Sequence, residues 1–92
     1  MIRDFGNRET ERLFQRKRVP KFQAFERPAR RKLAILAAAV FLTDLAVPPG
    51  NRLEALKDDR KGQHSIRIND QYRICFTWRD GDVFGVEITD YH

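Results

Sequence analysis

An α+β fold, with an N-terminal strand and a helical hairpin packed on an antiparallel β-sheet, is what this 92-residue sequence predicts. Three observations lead there. Apolar residues recur at helical spacing before residue 48. From Gln63 onward apolar and polar residues alternate with period two. Between the two regimes lies Pro48-Pro49-Gly50, which no helix or central strand passes through. One domain over residues 1–92 is the expectation, since a chain this short holds a single modest core.

Taken in order, residues 1–5 read as a short strand. Asn7 is placed to cap a helix that carries Thr10 and Glu11 early and Leu13 and Phe14 as its apolar contacts. Arg16-Lys17-Arg18 would close that helix favourably for its dipole, and Val19-Pro20 ends it. A second helix starts near Arg27-Pro28. Ala29, Leu33, Leu36, Ala37, Val40 and Phe41 form its apolar stripe, and Arg30, Arg31 and Lys32 stand near its start. Residues 52–56 are expected to be extended, and the polar residues 57–62 to form a loop.

The alternation assigns faces to the sheet. His64, Ile66 and Ile68, then Tyr72, Ile74, Phe76 and Trp78, then Phe84, Val86 and Ile88, share the side turned to the helices. A three-residue turn, Arg79-Asp80-Gly81, would pair Phe76 with Phe84, Ile74 with Val86 and Tyr72 with Ile88, and keep these faces unmixed. The preceding hairpin then sets Ile66 opposite Ile74. On the other face Arg67 comes opposite Arg73, and Arg73 opposite Glu87. Like charges in register are unfavourable unless an anion or a carboxylate offsets them.

Charge is distributed unevenly. Residues 1–32 hold eleven Lys/Arg against four Asp/Glu, whereas residues 63–92 hold three against five. A basic region of this kind favours a polyanionic partner. The lone Cys75 excludes an internal disulfide and fits a reducing compartment. Residues 1–7 lack an apolar signal core, and the longest apolar run, residues 33–42, is too short to span a bilayer. A cytoplasmic protein without membrane partners is expected.

The last strand leads into Asp90-Tyr91-His92. Alternation puts Tyr91 on the Arg67 and Arg73 face, and His92 supplies a group that titrates near neutrality. Arginines to neutralise a phosphate, a proton-transfer group and a ring able to stack on a base are what phosphodiester cleavage needs. By parity His64 belongs to the apolar side as a structural residue, and Cys75 is a bystander on the polar side. Neither metal-ligand spacing nor a phosphate loop is recognisable, so no cofactor is expected.

Nearly the whole chain resembles the HigB toxins of bacterial type II toxin–antitoxin modules, within the RelE/ParE superfamily. The matching stretches begin with Met1-Ile2-Arg3-Asp4-Phe5 and Pro49-Gly50-Asn51-Arg52-Leu53-Glu54-Ala55-Leu56-Lys57. They continue through Asp59-Arg60-Lys61-Gly62-Gln63-His64-Ser65-Ile66-Arg67-Ile68-Asn69 and Gln71-Tyr72-Arg73-Ile74-Cys75-Phe76, and end with Asp90-Tyr91-His92. The resemblance implies a RelE-like fold and a ribosome-dependent endoribonuclease. Such an enzyme would cut translated mRNA in the A site of the 70S ribosome, without a metal, using the ribose 2′-hydroxyl as nucleophile. It also implies a cognate helix-turn-helix antitoxin, HigA-like, and operator DNA bound through the toxin–antitoxin complex.

Carried over by position, Lys57 and Arg73 match the family's phosphate-contacting residues, and Asp90, Tyr91 and His92 its functional C-terminal group. Glu54 stands where some members have an active-site histidine. A glutamate can act as a general base, and the expectation is slower cleavage or cleavage led by His92. Arg67, Arg30, Arg31, Lys32, Arg60 and Lys61 complete the candidate RNA contacts. Two other readings remain open at this point. One is a ParE-like inhibitor of DNA gyrase; the other is a non-catalytic module that binds nucleic acid or a protein partner.

Overall fold

The computed structural model describes residues 1–90, and its first helix, α1 (Arg8–Phe14), starts where the capping pattern places it. Asn7 is extended and its Oδ1 accepts the Thr10 N–H at 2.9 Å. Glu9 and Glu11 occupy the first turn, where the helix dipole favours carboxylates. The helix is shorter than the basic run suggests. Arg16 adopts φ 64°, so Arg16-Lys17-Arg18 follows a chain reversal rather than closing the helix. A 3₁₀ segment, Pro20–Phe25, then buries Phe22 and Phe25.

Helix α2 (Glu26–Ala38) carries Pro28 in its first turn and buries Ala29, Leu33 and Leu36. The expected stripe ends early. Val40 and Phe41 lie beyond the helix and are 65% and 68% exposed. The cause is local: Asp44 Oδ2 accepts the N–H groups of Val40 at 3.0 Å and Phe41 at 2.9 Å, fixing a turn that no helix could share.

Four antiparallel strands follow in spatial order: β1 (Glu54–Ala55), β2 (His64–Arg67), β3 (Tyr72–Arg79) and β4 (Asp82–Asp90). The β2–β3 register is as the alternation requires, with Ile66 opposite Ile74 and Arg67 opposite Arg73. The β3–β4 hairpin is not. Arg79 pairs with Asp82, so the turn is the two residues Asp80 and Gly81, with φ 50° and 83°. Both positive values mark the tight turn that matches strand twist.

A two-residue turn would mix faces along the whole hairpin, but β4 corrects itself. Thr77 pairs with Phe84 and Cys75 with Glu87, so Gly85 and Val86 together oppose Phe76. Gly85, at φ 59°, is the bulged residue. Val83 therefore takes the core position expected for Phe84, joining the buried Val86 and Ile88. Phe84 turns to the other face, with the Arg79 guanidinium 5.3 Å from its ring centre. Arg73 lies opposite Thr89, not Glu87, and Ile74 opposite Ile88.

Both helices pack on the face that carries Ile66, Ile74, Phe76, Val86 and Ile88, forming one core with Leu13, Phe22, Leu33 and Leu36. The Ile88 N–H donates to the buried Thr10 hydroxyl at 2.9 Å, which ties α1 to β4. Residues 1–5 run parallel to β4, bridging Ile2 to Val83 and Phe5 to Val86. Arg3 and Gly6 donate to the carbonyls of Val83 and Val86 at 2.8 Å, so the outer edge of β4 is covered. His64 pairs with Phe76 on the core face, its ring stacked at 6.2 Å. Among the described residues, no helix is long and apolar enough to cross a membrane.

Candidate functional site

The face of the sheet turned away from the helices carries Ser65 and Arg67 on β2, Arg73 and Cys75 on β3, and Glu87 and Thr89 on β4. It is not simply a solvated surface. Ser65 and Cys75 are completely buried, and Arg73 is only 8% exposed. The chain around β1 reaches over this face at two points. The Arg52 carbonyl accepts from Arg73 Nη2 at 2.5 Å, and Arg60 Nη2 ion-pairs with Glu87 at 2.7 Å. Burial pushes the Cys75 thiol up from its usual range, which keeps it protonated and unreactive.

Arg73 is the centre of this arrangement. Its Nε donates to Ser65 Oγ at 2.7 Å, and its Nη2 also approaches the Ser65 carbonyl at 3.4 Å. Glu54 Oε1 lies 3.8 Å from Nη2, and the glutamate is half exposed while the guanidinium is not. A buried cation is costly unless hydrogen bonds and a counter-charge offset it. The serine and the backbone carbonyl supply the close hydrogen bonds and fix the guanidinium plane, and the half-exposed glutamate adds a weak, solvent-screened counter-charge.

Around this centre, Arg67 faces Arg73 across the ladder and is engaged by Asp70. The structure divides the basic triplet of α2. Lys32 Nζ donates to Oδ1 of the buried Asn51, and burial first, then Arg31 and Arg67, lowers its pKa. Lys32 thus shares an electrostatic neighbourhood with Arg67. Arg30 instead pairs with Glu26 at 3.1 Å and donates to the Lys17 carbonyl at 3.2 Å. With Arg31 it lines a groove against α1.

Lys57 and Lys61 are exposed in the segment that links β1 to β2. Asp90 pairs with Tyr72, on the parity opposite to Arg73, and accepts from Gln71 Nε2 at 2.9 Å. Tyr91 and His92 lie outside the described residues.

Three participants escaped the sequence reading. Ser65 could have been found, because a small hydroxyl on the same face as an arginine is a natural acceptor. The Arg52 carbonyl carried no signal, since it is presented by a backbone at φ 46° that closes the 3₁₀ turn Pro49–Asn51. Asn51, fully buried, donates to the carbonyls of Leu45 at 3.1 Å and Val47 at 3.3 Å. It joins the segment after α2 to Lys32.

The family model described as the RelE-like toxin of the type II toxin–antitoxin system HigB matches residues 3–92. The chain belongs to this family. Toxin HigB-1 of Vibrio cholerae is 57% identical over 51 residues, which are 55% of this chain and 54% of that protein. An uncharacterized protein of Haemophilus influenzae is 38% identical over 53 residues, 58% of this chain and 52% of its own. The chain spans about half the length of these curated relatives.

Among solved structures, the YoeB dimer of Staphylococcus aureus superposes with a TM-score of 0.62 at 21% identity, over 99% of this chain and 94% of its own. A chain of the heterotetrameric YoeB-YefM toxin-antitoxin complex, also from Staphylococcus aureus, gives 0.58 at 19%, over 100% of this chain and 98% of its own. The HigB-like chain thus has a RelE-like fold, a helical hairpin on a four-stranded antiparallel sheet.

Proposed function

We propose that this HigB-like chain is the toxin of a type II toxin–antitoxin module and acts as a ribosome-dependent endoribonuclease on translated mRNA in the A site. The observation that carries the reading is Arg73: a nearly buried guanidinium, fixed by Ser65 and the Arg52 carbonyl, with one carboxylate 3.8 Å away. Such a cation is set before substrate arrives, so it stabilises developing charge without reorganising.

In the proposed step the 2′-oxygen of the ribose attacks the adjacent phosphorus. The 2′-hydroxyl proton passes to the Glu54 carboxylate, and the bond from phosphorus to the 5′-oxygen breaks. A proton delivered to that oxygen completes the leaving group, and the other product is a 2′,3′-cyclic phosphate. The acid is assigned to His92, with Tyr91 stacking on a base and Asp90 supporting the segment that carries both. Arg73 and Lys57 neutralise the phosphorane, and no metal takes part. Arg67, Lys32, Arg60 and Lys61 guide the flanking backbone.

An antitoxin with a helix-turn-helix would restrain the activity, and the pair would bind operator DNA. The existence of a YoeB-YefM complex on the same fold supports a protein inhibitor.

Primer extension on mRNA translated in a reconstituted system tests the reading. Wild-type protein should give new 5′ ends within codons, and Arg73→Ala should give none. Intact transcripts at protein concentrations that arrest growth would sink it.

A further inference from the structure

Phe84 stands opposite Thr77, on the same face of the sheet as Arg73, although simple alternation along β4 would have put it in the core. The bulge at Gly85, φ 59°, is what turns it out. The ring is half-buried and joins neither the core nor the apolar side chains packed against it. The exposed Arg79 places its guanidinium over the ring, 5.3 Å from the ring centre. Asp82 pairs with Arg79 across the hairpin, but its carboxylate is engaged by Arg3 Nε at 3.1 Å. Phe84, rather than Asp82, thus orients the guanidinium.

An arginine resting on an aromatic ring presents its outer surface to a nucleobase. The place on the sheet fits such a ligand. Arg73 and Arg79 share a face and one strand, which sets them about 20 Å apart. Arg60, ion-paired with Glu87 over the same face, lies between them.

We infer that Arg79, supported by Phe84, is a base-stacking subsite for the mRNA strand that is cut at Arg73, a few nucleotides from the scissile phosphate. The inference rests on the reading of the chain as an endoribonuclease. It adds where the strand runs: along β3, from Arg73 past Arg60 to the hairpin. Every base has a stacking face, so the subsite contributes affinity and register rather than base preference.

One arm of the test measures binding of a fluorescein-labelled, mixed-sequence oligoribonucleotide to the free full-length protein by fluorescence anisotropy. Phe84→Leu keeps an apolar side chain without a ring, and Arg79→Lys keeps the charge without the plane. Each should weaken binding about fivefold or more, the loss of one stacked base. Arg79→Lys should leave the salt dependence unchanged, because the charge it brings to the backbone is the same. It is also a conservative change at an exposed position, which covers the case in which Phe84→Leu does not fold.

The other arm measures single-turnover cleavage on programmed ribosomes, with an abasic nucleotide moved through the mRNA one position at a time. At one position near the cut, the abasic nucleotide should raise the protein concentration for half-maximal rate as much as Arg79→Lys does. Combined with it, Arg79→Lys should add nothing. The maximal rate should hold in both protein variants.

Variants that bind RNA as wild type does, or a wild-type protein that binds none, overturn the subsite. So does normal binding by Arg79→Lys beside weak binding by Arg79→Gln, which would make the contact one of charge alone. An effect of Arg79→Lys that persists with every abasic mRNA would put ribosomal RNA on Arg79 and overturn the assignment to mRNA. Absence of cleavage by wild type sinks the endoribonuclease reading and leaves the binding arm to decide the stacking, so the two ideas fail separately.

Discussion

Arg73 and Arg67 face each other directly across the β2–β3 ladder, and each is restrained by a different partner: Arg73 by Ser65 and the Arg52 carbonyl, Arg67 by Asp70. Two like charges in register repel, so the pair persists because separate acceptors engage each guanidinium. The two restraints differ in burial. Ser65 is completely buried, while the Asp70 side chain is 99% exposed. Ser65→Ala should therefore cost about 1–3 kcal/mol, since it leaves a buried guanidinium N–H without its acceptor. Asp70→Ala should stay within about 0.5 kcal/mol. Urea denaturation of both variants checks this. Equal midpoints would show that the serine contributes no more than a solvated ion pair.

The bulge at Gly85 keeps the core face of β4 apolar after a two-residue turn. A Cβ there would meet nothing within 4 Å, so the cost of Gly85→Ala is conformational alone. At φ 59° it should amount to about 1–2 kcal/mol in thermal unfolding. Gly50→Ala, also in open space and without a positive φ, should be neutral or slightly stabilising. A loss at Gly85 no greater than at Gly50 would mean that the bulge tolerates a side chain.

That bulge also shows how far alternation can be read. Between β2 and β3 the polar connection leaves one register that keeps Ile66 and Ile74 on the same side, and the strands adopt it. In the next hairpin two devices solve the same parity problem. A three-residue turn would do it at the tip, and the chain instead combines a tight Asp80-Gly81 turn with a bulge three residues into β4. Gly85 was the available signal, as a glycine inside a strand pattern.

At the site, Arg73 was legible from alternation as a charge on the polar face, and Glu54 from its place in the resemblance to HigB toxins. Their fixing was not, because it depends on a carbonyl at Arg52 and on Asn51, whose positions follow from long-range folding of the Pro49–Asn51 turn. Val40 and Phe41 continued a helical spacing that Asp44 interrupts through hydrogen bonds no periodicity reveals.

Asp44 gives the fold an acid-sensitive point. The N–H groups of Phe41 and then Val40 hold its carboxyl below the usual range. In acid the folded chain binds fewer protons at this group than the unfolded chain does. The stabilisation is therefore present above the ordinary carboxylate pKa, about 4, and is lost as pH falls through the lower folded value. Asp44→Ala should lose stability near neutral pH and show a flatter decline of the urea midpoint below pH 4. Asp44→Asn, which keeps an acceptor, should retain more of the neutral stability and share the flatter decline. Parallel acid curves for wild type and Asp44→Ala would remove Asp44 as the cause.

Glu54 separates catalysis from stability. Its carboxylate is half exposed and 3.8 Å from Arg73, so the ion pair contributes little to folding, and Glu54→Gln should leave the urea midpoint within about 0.5 kcal/mol. In the proposed reaction it takes the proton from the 2′-hydroxyl. Glutamine cannot, and loss of a general base lowers a rate by about a hundred- to ten-thousand-fold. Single-turnover cleavage of ribosome-bound mRNA should fall by that amount. If Glu54 only orients the guanidinium, glutamine keeps the acceptor and the rate should hold. Near-normal cleavage by Glu54→Gln would therefore move the base elsewhere and leave Arg73 with electrostatic stabilisation alone.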